Sequence, residues 1–194
     1  VFLIVAICSF VFATILGDYL EDDILPQANL NLSDLALDMN SVIYYIDGND
    51  EIQVQQKIDS SVNRDWANYE DIPEHMVNAA IAIEDHRFYR HQGVDWITTV
   101  KACANLFFGG GSKFGGSTIT QQLLKNNVFE GWVGENSNFV KIKRKIQEQY
   151  LAVQLEDVLD KDTILEYYLN TINLGQNTLG VQTASLRYFN KNVW

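Results

Sequence analysis

The stretch "FVKIKRKIQEQYLAVQLEDVL" (residues 139–159) has neither glycine nor proline and returns to an apolar residue every three or four positions. That period predicts one long amphipathic helix, with Ile142, Ile146, Tyr150 and Val153 on its buried side. A helix of this length needs other helices to cover it, and most other segments agree. "DIPEHMVNAAIAIED" offers Asp71 as N-cap and Pro73 in the first turn, with Val77, Ala80, Ile81 and Glu84 on one face. "WITTVKACANLFF" (96–108) predicts a second helix, stopped by the glycines at 109–111. "GSTITQQLLKNNVF" begins with small residues and a Ser/Thr cap, then turns helical. "KDTILEYYLNTINLG" predicts a helix closed by Gly175, and "GVQTASLRYF" (180–189) one more. Two β-rich runs around Asp47-Gly48 in "SVIYYIDGNDEIQVQQ" (41–56) read as a short β-hairpin. The expected fold class is mainly α.

Charge narrows the function. The 194 residues carry a net charge of -11, which argues against nucleic acid as a partner. The distribution is uneven. Residues 1–100 hold 17 acids and 4 bases, whereas residues 101–150 hold 3 acids and 7 bases. A basic zone in an acidic chain fits a small anionic ligand; a solvated helix face fits the charge count equally well. The two cysteines, Cys8 and Cys103, form no disulfide framework, and the spacing of His75, His86 and His91 forms no metal motif.

The run "VFLIVAICSFVFATIL" (1–16) carries no charge. It is slightly shorter than the ~20 residues that span a bilayer. We read residues 1–17 as the end of a transmembrane helix that begins before Val1, with the core of a signal peptide as the alternative. Acids follow at once and the first basic residue is Lys57, so the chain beyond the run is expected on the non-cytoplasmic side. Residues 18–40 read as a juxtamembrane connector, and residues 41–194 as one domain incomplete at its C-terminus.

Three places carry chemistry. The stretch "AIEDHRFYRHQGVDW" (82–96) ends an apolar helix face on Glu84 and packs charge of both signs behind it. A carboxylate at the end of such a stripe is expected to lose hydration, which suits it to proton transfer; an ordinary helix-terminal acid is the plain alternative. On the long helix, Lys141, Arg144, Lys145 and Glu148 share a face, either as a cationic phosphate site with a second carboxylate or as a salt-bridged surface. In "GGSTITQQLLKN", the backbone amides of a helix start, Ser117, Thr118 and Lys125 are arranged to hold an anion. Two carboxylates among several cations point to glycosyl chemistry with a phosphate leaving group. Hydrolytic glycosidases use two carboxylates without a phosphate site.

"EDHRFYRHQG" resembles the E-D-x-x-F-x-x-H-x-G motif of the peptidoglycan glycosyltransferases, glycosyltransferase family 51. "GGSTITQQLLKN", "RKIQEQYLAVQLE" and "KDTILEYYLNTINLG" are similar to that family's next three motifs, in order, over residues 84–175. A fifth, around "LGVQTASLRYFNK", matches less fully, with Leu179 where an aromatic is usual. The resemblance implies a lysozyme-like domain behind a membrane helix, either monofunctional or the N-terminal part of a class A penicillin-binding protein. It implies that Glu84 and Glu148 are catalytic, and that Asp85, Ser117, Thr118, Gln121, Gln122, Lys125, Arg144 and Lys145 bind substrate. Val140 stands where members often carry a basic residue, with Lys141 or Lys143 as substitutes. The implied activity is polymerisation of lipid II into β-1,4-linked glycan strands with release of undecaprenyl pyrophosphate. A divalent cation, magnesium or manganese, is expected with the pyrophosphate. The expected partners are lipid II, the growing strand, the bacterial cell membrane and other cell-wall synthesis proteins. A lytic enzyme acting on finished glycan and a non-catalytic membrane-anchored binding module are the alternatives. No Ser-x-x-Lys occurs in the chain, so a transpeptidase site is not expected within it.

Overall fold

A computed structural model of the chain describes residues 10–11, 14–15, 17–28, 41–58, 63–108, 115–129, 132–134, 137–176 and 178–194. The membrane helix expected over residues 1–17 falls mostly outside the described residues. So do residues 29–40 of the connector, the glycines at 109–111 and Lys113. Among the described residues, no helix is long and apolar enough to cross a membrane.

The protein is mainly helical. Among the described residues from Glu74 onward, six α-helices follow one another: α1 (Glu74–Glu84), α2 (Trp96–Phe108), α3 (Ile119–Asn127), α4 (Asn138–Val158), α5 (Lys161–Thr171) and α6 (Val181–Phe189). Strand β1 (Ser41–Ile46) pairs antiparallel with β2 (Ile52–Ile58), with an irregularity between Ile43 and Tyr44. Two short strands, β3 (Asn63–Arg64) and β4 (Thr178–Leu179), pair in parallel.

The core surrounds α3. Ile119, Leu123 and Leu124 are fully buried between Leu151, Ala152 and Leu155 of α4 and Ile164, Leu165 and Leu169 of α5. On α4 the buried residues are Gln147, Glu148, Leu151, Ala152 and Leu155. The expected inward side is therefore corrected: Ile142 is 60% exposed and Tyr150 38%. Apolar periodicity picked the wrong face because Glu148 belongs to the buried stripe. Periodicity scores a carboxylate as solvent-facing, and it cannot register that Arg144 and Lys145 neutralise this one.

Two helix ends also differ from expectation. Helix α1 starts at Glu74 after an extended Pro73, while Asp71 lies in the preceding turn and accepts a bond from Asn68 Nδ2 at 3.0 Å. Helix α5 stops at Thr171, short of Gly175. Beyond it the Gly180 amide bonds the Ile172 carbonyl at 2.9 Å and the Leu174 amide bonds the Thr178 carbonyl at 2.9 Å. These bonds draw the chain into a tight reversal leading to α6.

Polar clamps hold the segment before α1. The Asn170 side-chain amide satisfies both backbone groups of buried Ala67, each at 2.8 Å. One turn earlier, Glu166 accepts from the Trp66 indole at 3.0 Å and from the Tyr69 amide at 2.8 Å. Closer to the N-terminus, Gln147 Nε2 reaches the Ile24 carbonyl at 3.0 Å and ties the helical turns at Leu20–Gln27 to α4.

Gly93 is a wedge. Its φ is +74°, and an added Cβ would lie 2.3 Å from the Ala152 carbonyl oxygen. Its own carbonyl accepts the Thr118 hydroxyl at 2.6 Å. Gly93→Ala must therefore push α4 away as well as strain its own backbone. We expect a loss of about 2–4 kcal/mol, read as a fall of several degrees in the thermal midpoint. Gly48→Ala, with open space around it, should leave the midpoint unchanged. Equal midpoints for the two variants would refute this account.

Candidate active site

The 82–96 stretch divides its two adjacent acids. Helix α1 ends at Glu84, and the next residue turns inward. Asp85 is 7% exposed, accepts from His91 Nε2 at 2.9 and 3.1 Å, and accepts from the Ile119 amide at 3.1 Å. Behind it Phe88 is fully buried, with Lys161 Nζ 4.2 Å from its ring. Glu84 itself is exposed, so the expected loss of hydration falls on Asp85 and not on Glu84. The Glu84 carboxylate accepts one bond, from Gln122 Nε2 at 2.8 Å.

Farther along, Asp95 opens α2. It is 3% exposed, ion-paired with Arg87, and bonded by the Thr98 amide at 3.0 Å and hydroxyl at 2.6 Å. Burial alone would raise its pKa. The Arg87 and Thr98 bonds outweigh it and hold the carboxyl well below the usual range.

Helix α3 opens in a capping box. The Thr118 hydroxyl accepts from the Gln121 amide at 3.2 Å, and Gln121 Oε1 accepts from the Thr118 amide at 3.1 Å. With Asp85 on the Ile119 amide, these backbone donors are already engaged by the chain's own groups. Three amides of this helix start are thus engaged within the chain. Gln121, 1% exposed, and Thr118, 2% exposed, are held in the cap; Asp85 is held in its clamp.

The cations converge from two helices. On α4, Glu148 has no exposed surface and is paired with Arg144 and with Lys145 Nζ at 2.6 Å. Lys145 Nζ also donates to Ser117 Oγ at 2.9 Å. From α3, Lys125 Nζ lies 4.3 Å from the Trp132 ring centre, and the Arg144 guanidinium stands 6.0 Å from the same ring. The Lys125 pKa is lowered, first by burial and then by the charge of Lys145. That repulsion is the electrostatic mark of one shared cationic site.

A cavity of about 360 Å³ brings these groups to one place. Glu84, Asp85, Ser117, Thr118, Gln122 and Lys125 line it, together with His86 and Thr98. Lys145 joins through Ser117, and Arg144 and Glu148 stand behind. Lys141 and Val140 are exposed on α4. Three residues around the site were not singled out from the sequence. Tyr168 was hidden inside an apolar helix pattern. Trp132 had no local signal. Asp95 carries a local signal, an N-cap acid directly before the helix that starts at Trp96.

The donor set does not suit a protein-held metal. Among the described residues, no group of three or more His, Cys, Asp or Glu side chains is placed to hold one. Both oxygens of Glu148 are already engaged by cations.

Residues 50–194 match the family model described as transglycosylase. The chain belongs to the transglycosylase family. It is 42% identical over 163 residues to penicillin-binding protein 1A of Clostridium botulinum, covering 82% of this chain and 18% of that protein. It is 38% identical over 164 residues to penicillin-binding protein 1A of Streptococcus oralis, covering 84% and 24%. Against the Clostridium perfringens strain 13 protein of that name it is 37% identical over 185 residues, covering 93% and 26%. The chain thus spans about a fifth to a quarter of the length of these curated relatives.

The Asp95 shift has a pH consequence. A carboxyl whose folded pKa is depressed contributes stability above its unfolded value, near pH 4, and loses it as pH falls through the folded value. The stability gap between the natural protein and Asp95→Asn should therefore be full at neutral pH and shrink below about pH 4. Urea unfolding at pH 7 and pH 3 measures it. A gap that widens on acidification would reverse the sign and refute the assignment.

Proposed function

We propose that this domain is a peptidoglycan glycosyltransferase that polymerises lipid II in bacterial cell wall synthesis. One observation carries the reading: a solvent-accessible carboxylate, Glu84, opens on the same cavity as a cationic cluster drawn from two helices. In the proposed reaction Glu84 takes the proton of the acceptor's GlcNAc 4-hydroxyl. That oxygen bonds to C1 of the donor's MurNAc as the bond from C1 to the pyrophosphate oxygen breaks. The anomeric centre inverts, and undecaprenyl pyrophosphate leaves with the electron pair. Lys125, Lys145 and Arg144 meet the charge that develops on it. Glu148 keeps Arg144 and Lys145 in place; it is buried behind them and acts through them. Family membership and the penicillin-binding protein 1A relatives support the same chemistry.

The proposal extends to residues 1–17 as a membrane anchor, and to a lysozyme-like domain over residues 41–194 held on the outer face of the cell membrane. A hydrolase acting on finished strands would use Glu84 as an acid, but it has no pyrophosphate to neutralise. The cationic cluster is what favours the transferase.

Glu84→Gln keeps the shape and the bonding reach of the side chain and removes the base. Polymerisation of labelled lipid II by the full-length protein should fall by ~10²–10⁴, with unfolding unchanged. Near-natural polymerisation by this variant would sink the assignment.

Lys125→Ala and Lys145→Ala should each lower polymerisation at least about tenfold, the scale of one lost charge-assisted bond, whereas Lys57→Ala should not. Purified glycan strands should stay intact with the natural protein. Muropeptide release from strands, with no polymer from lipid II, would establish the lytic alternative instead.

A further inference from the structure

Helix α5 sends one polar group toward Glu84 without reaching the cavity. Tyr168 is 4% exposed in the core, and its hydroxyl lies 3.4 Å from Gln122 Oε1. The other end of that same amide, Nε2, donates to Glu84 at 2.8 Å. Three residues from three helices thus form one chain of hydrogen bonds ending on the proposed base.

The chemistry of the three groups sets every direction in the chain. An ionised carboxylate only accepts, so it must meet the nitrogen end of the Gln122 amide. The oxygen end then faces Tyr168, and an amide oxygen only accepts, so the phenol must donate. Burial, and then the negative charge of Glu84, push the Tyr168 phenol well above its ordinary value and keep it protonated. Around Glu84 the other charged or titratable groups are Lys125 from α3 and, in its own turn, Asp85, held by His91, and His86. None of these constrains the Gln122 amide. With the hydroxyl absent, the carboxylate still selects the nitrogen end, but the amide oxygen loses its partner and the amide is held at one end only.

We infer that Tyr168 is a positioning residue for Glu84, acting through Gln122: its hydroxyl anchors the oxygen end of the side-chain amide whose nitrogen end donates to the carboxylate. This rests on the proposed role of Glu84 and deepens it. Tyr168 does not line the cavity, so its effect belongs in turnover and not in substrate binding. A contact of 3.4 Å is long for a hydroxyl donor, as catalytic hydrogen bonds often are before substrate binds.

The test is a double-mutant cycle in the full-length protein, using Tyr168→Phe, Gln122→Met and the double variant with lipid II as substrate. Tyr168→Phe should lower kcat about five- to tenfold and leave KM within about twofold, since only one hydroxyl is lost. In the Gln122→Met background the same change should cost nothing further in kcat, because the path to Glu84 is already cut. An equal loss in both backgrounds would make Tyr168 a packing residue and overturn the inference, as would natural kcat in Tyr168→Phe. The same four proteins are also unfolded thermally, a readout that needs no reaction. Non-additive midpoint shifts report the Tyr168–Gln122 bond, and additive shifts overturn it. Absence of polymer from the natural protein would sink the proposed function alone, leaving the bond to be judged by the unfolding cycle.

Discussion

The carboxylate of Asp85 is the contact from which the rest of the site is built. It is buried, it accepts from His91 and it accepts from the first amide of α3. These bonds join three things that sequence keeps apart: the end of α1, the turn carrying Phe88 and His91, and the start of α3. Once α3 is pinned there, Gln122 stands one turn in and faces Glu84, and Lys125 follows on the same side. A buried carboxylate without partners would be costly. Here the donors are supplied by a helix start, whose free amides and dipole favour negative charge. The anion that this helix terminus attracts is therefore internal. The space left for an external anion lies farther along, between side chains.

Glu148 performs the matching task at the other wall. It has no exposed surface, and its two oxygens are held by Arg144 and Lys145. Replacing such a pair by apolar residues is often no loss for stability, whereas removing one partner leaves a buried charge unpaired. The value of Glu148 thus lies in geometry. It fixes two cations at the base of a cavity where they would otherwise repel each other and Lys125. Trp132 completes the arrangement by giving Lys125 and Arg144 a common aromatic face. In the proposed reaction that fixed charge is what a leaving pyrophosphate meets, with no solvent to reorganise first.

Much of this was legible in the sequence, and the failures have a common cause. The helices α1 to α6 lie where apolar period and cap signals placed them, to within a few residues. Glu84, Ser117, Gln122 and Lys125 come together on one cavity, having been selected from separate segments. The errors arose wherever a polar group is satisfied by a partner distant in sequence. Glu148 was put on the outer face of α4, and the true buried stripe was missed with it. Dehydration was assigned to Glu84 when Asp85 is the buried acid. Local pattern records which residues are polar; it carries no record of what neutralises them, and that is settled only in the tertiary fold.

The division of Glu84 from Asp85 shows why such a site can be both reactive and stable. A proton acceptor must stay open to its substrate, so it can contribute little to holding its own surroundings. Here the adjacent residue does the holding. At the end of α1 the backbone leaves helical geometry at Asp85, so two neighbouring side chains point in different directions, one to solvent and one to the core. The open acid is then aligned by a neutral amide and not by a cation. A cation in direct contact would hold the carboxylate more firmly, but would also weaken it as a base. Gln122 orients without that full electrostatic cost, while Lys125 lines the same cavity and, among the described residues, forms no ion pair with Glu84.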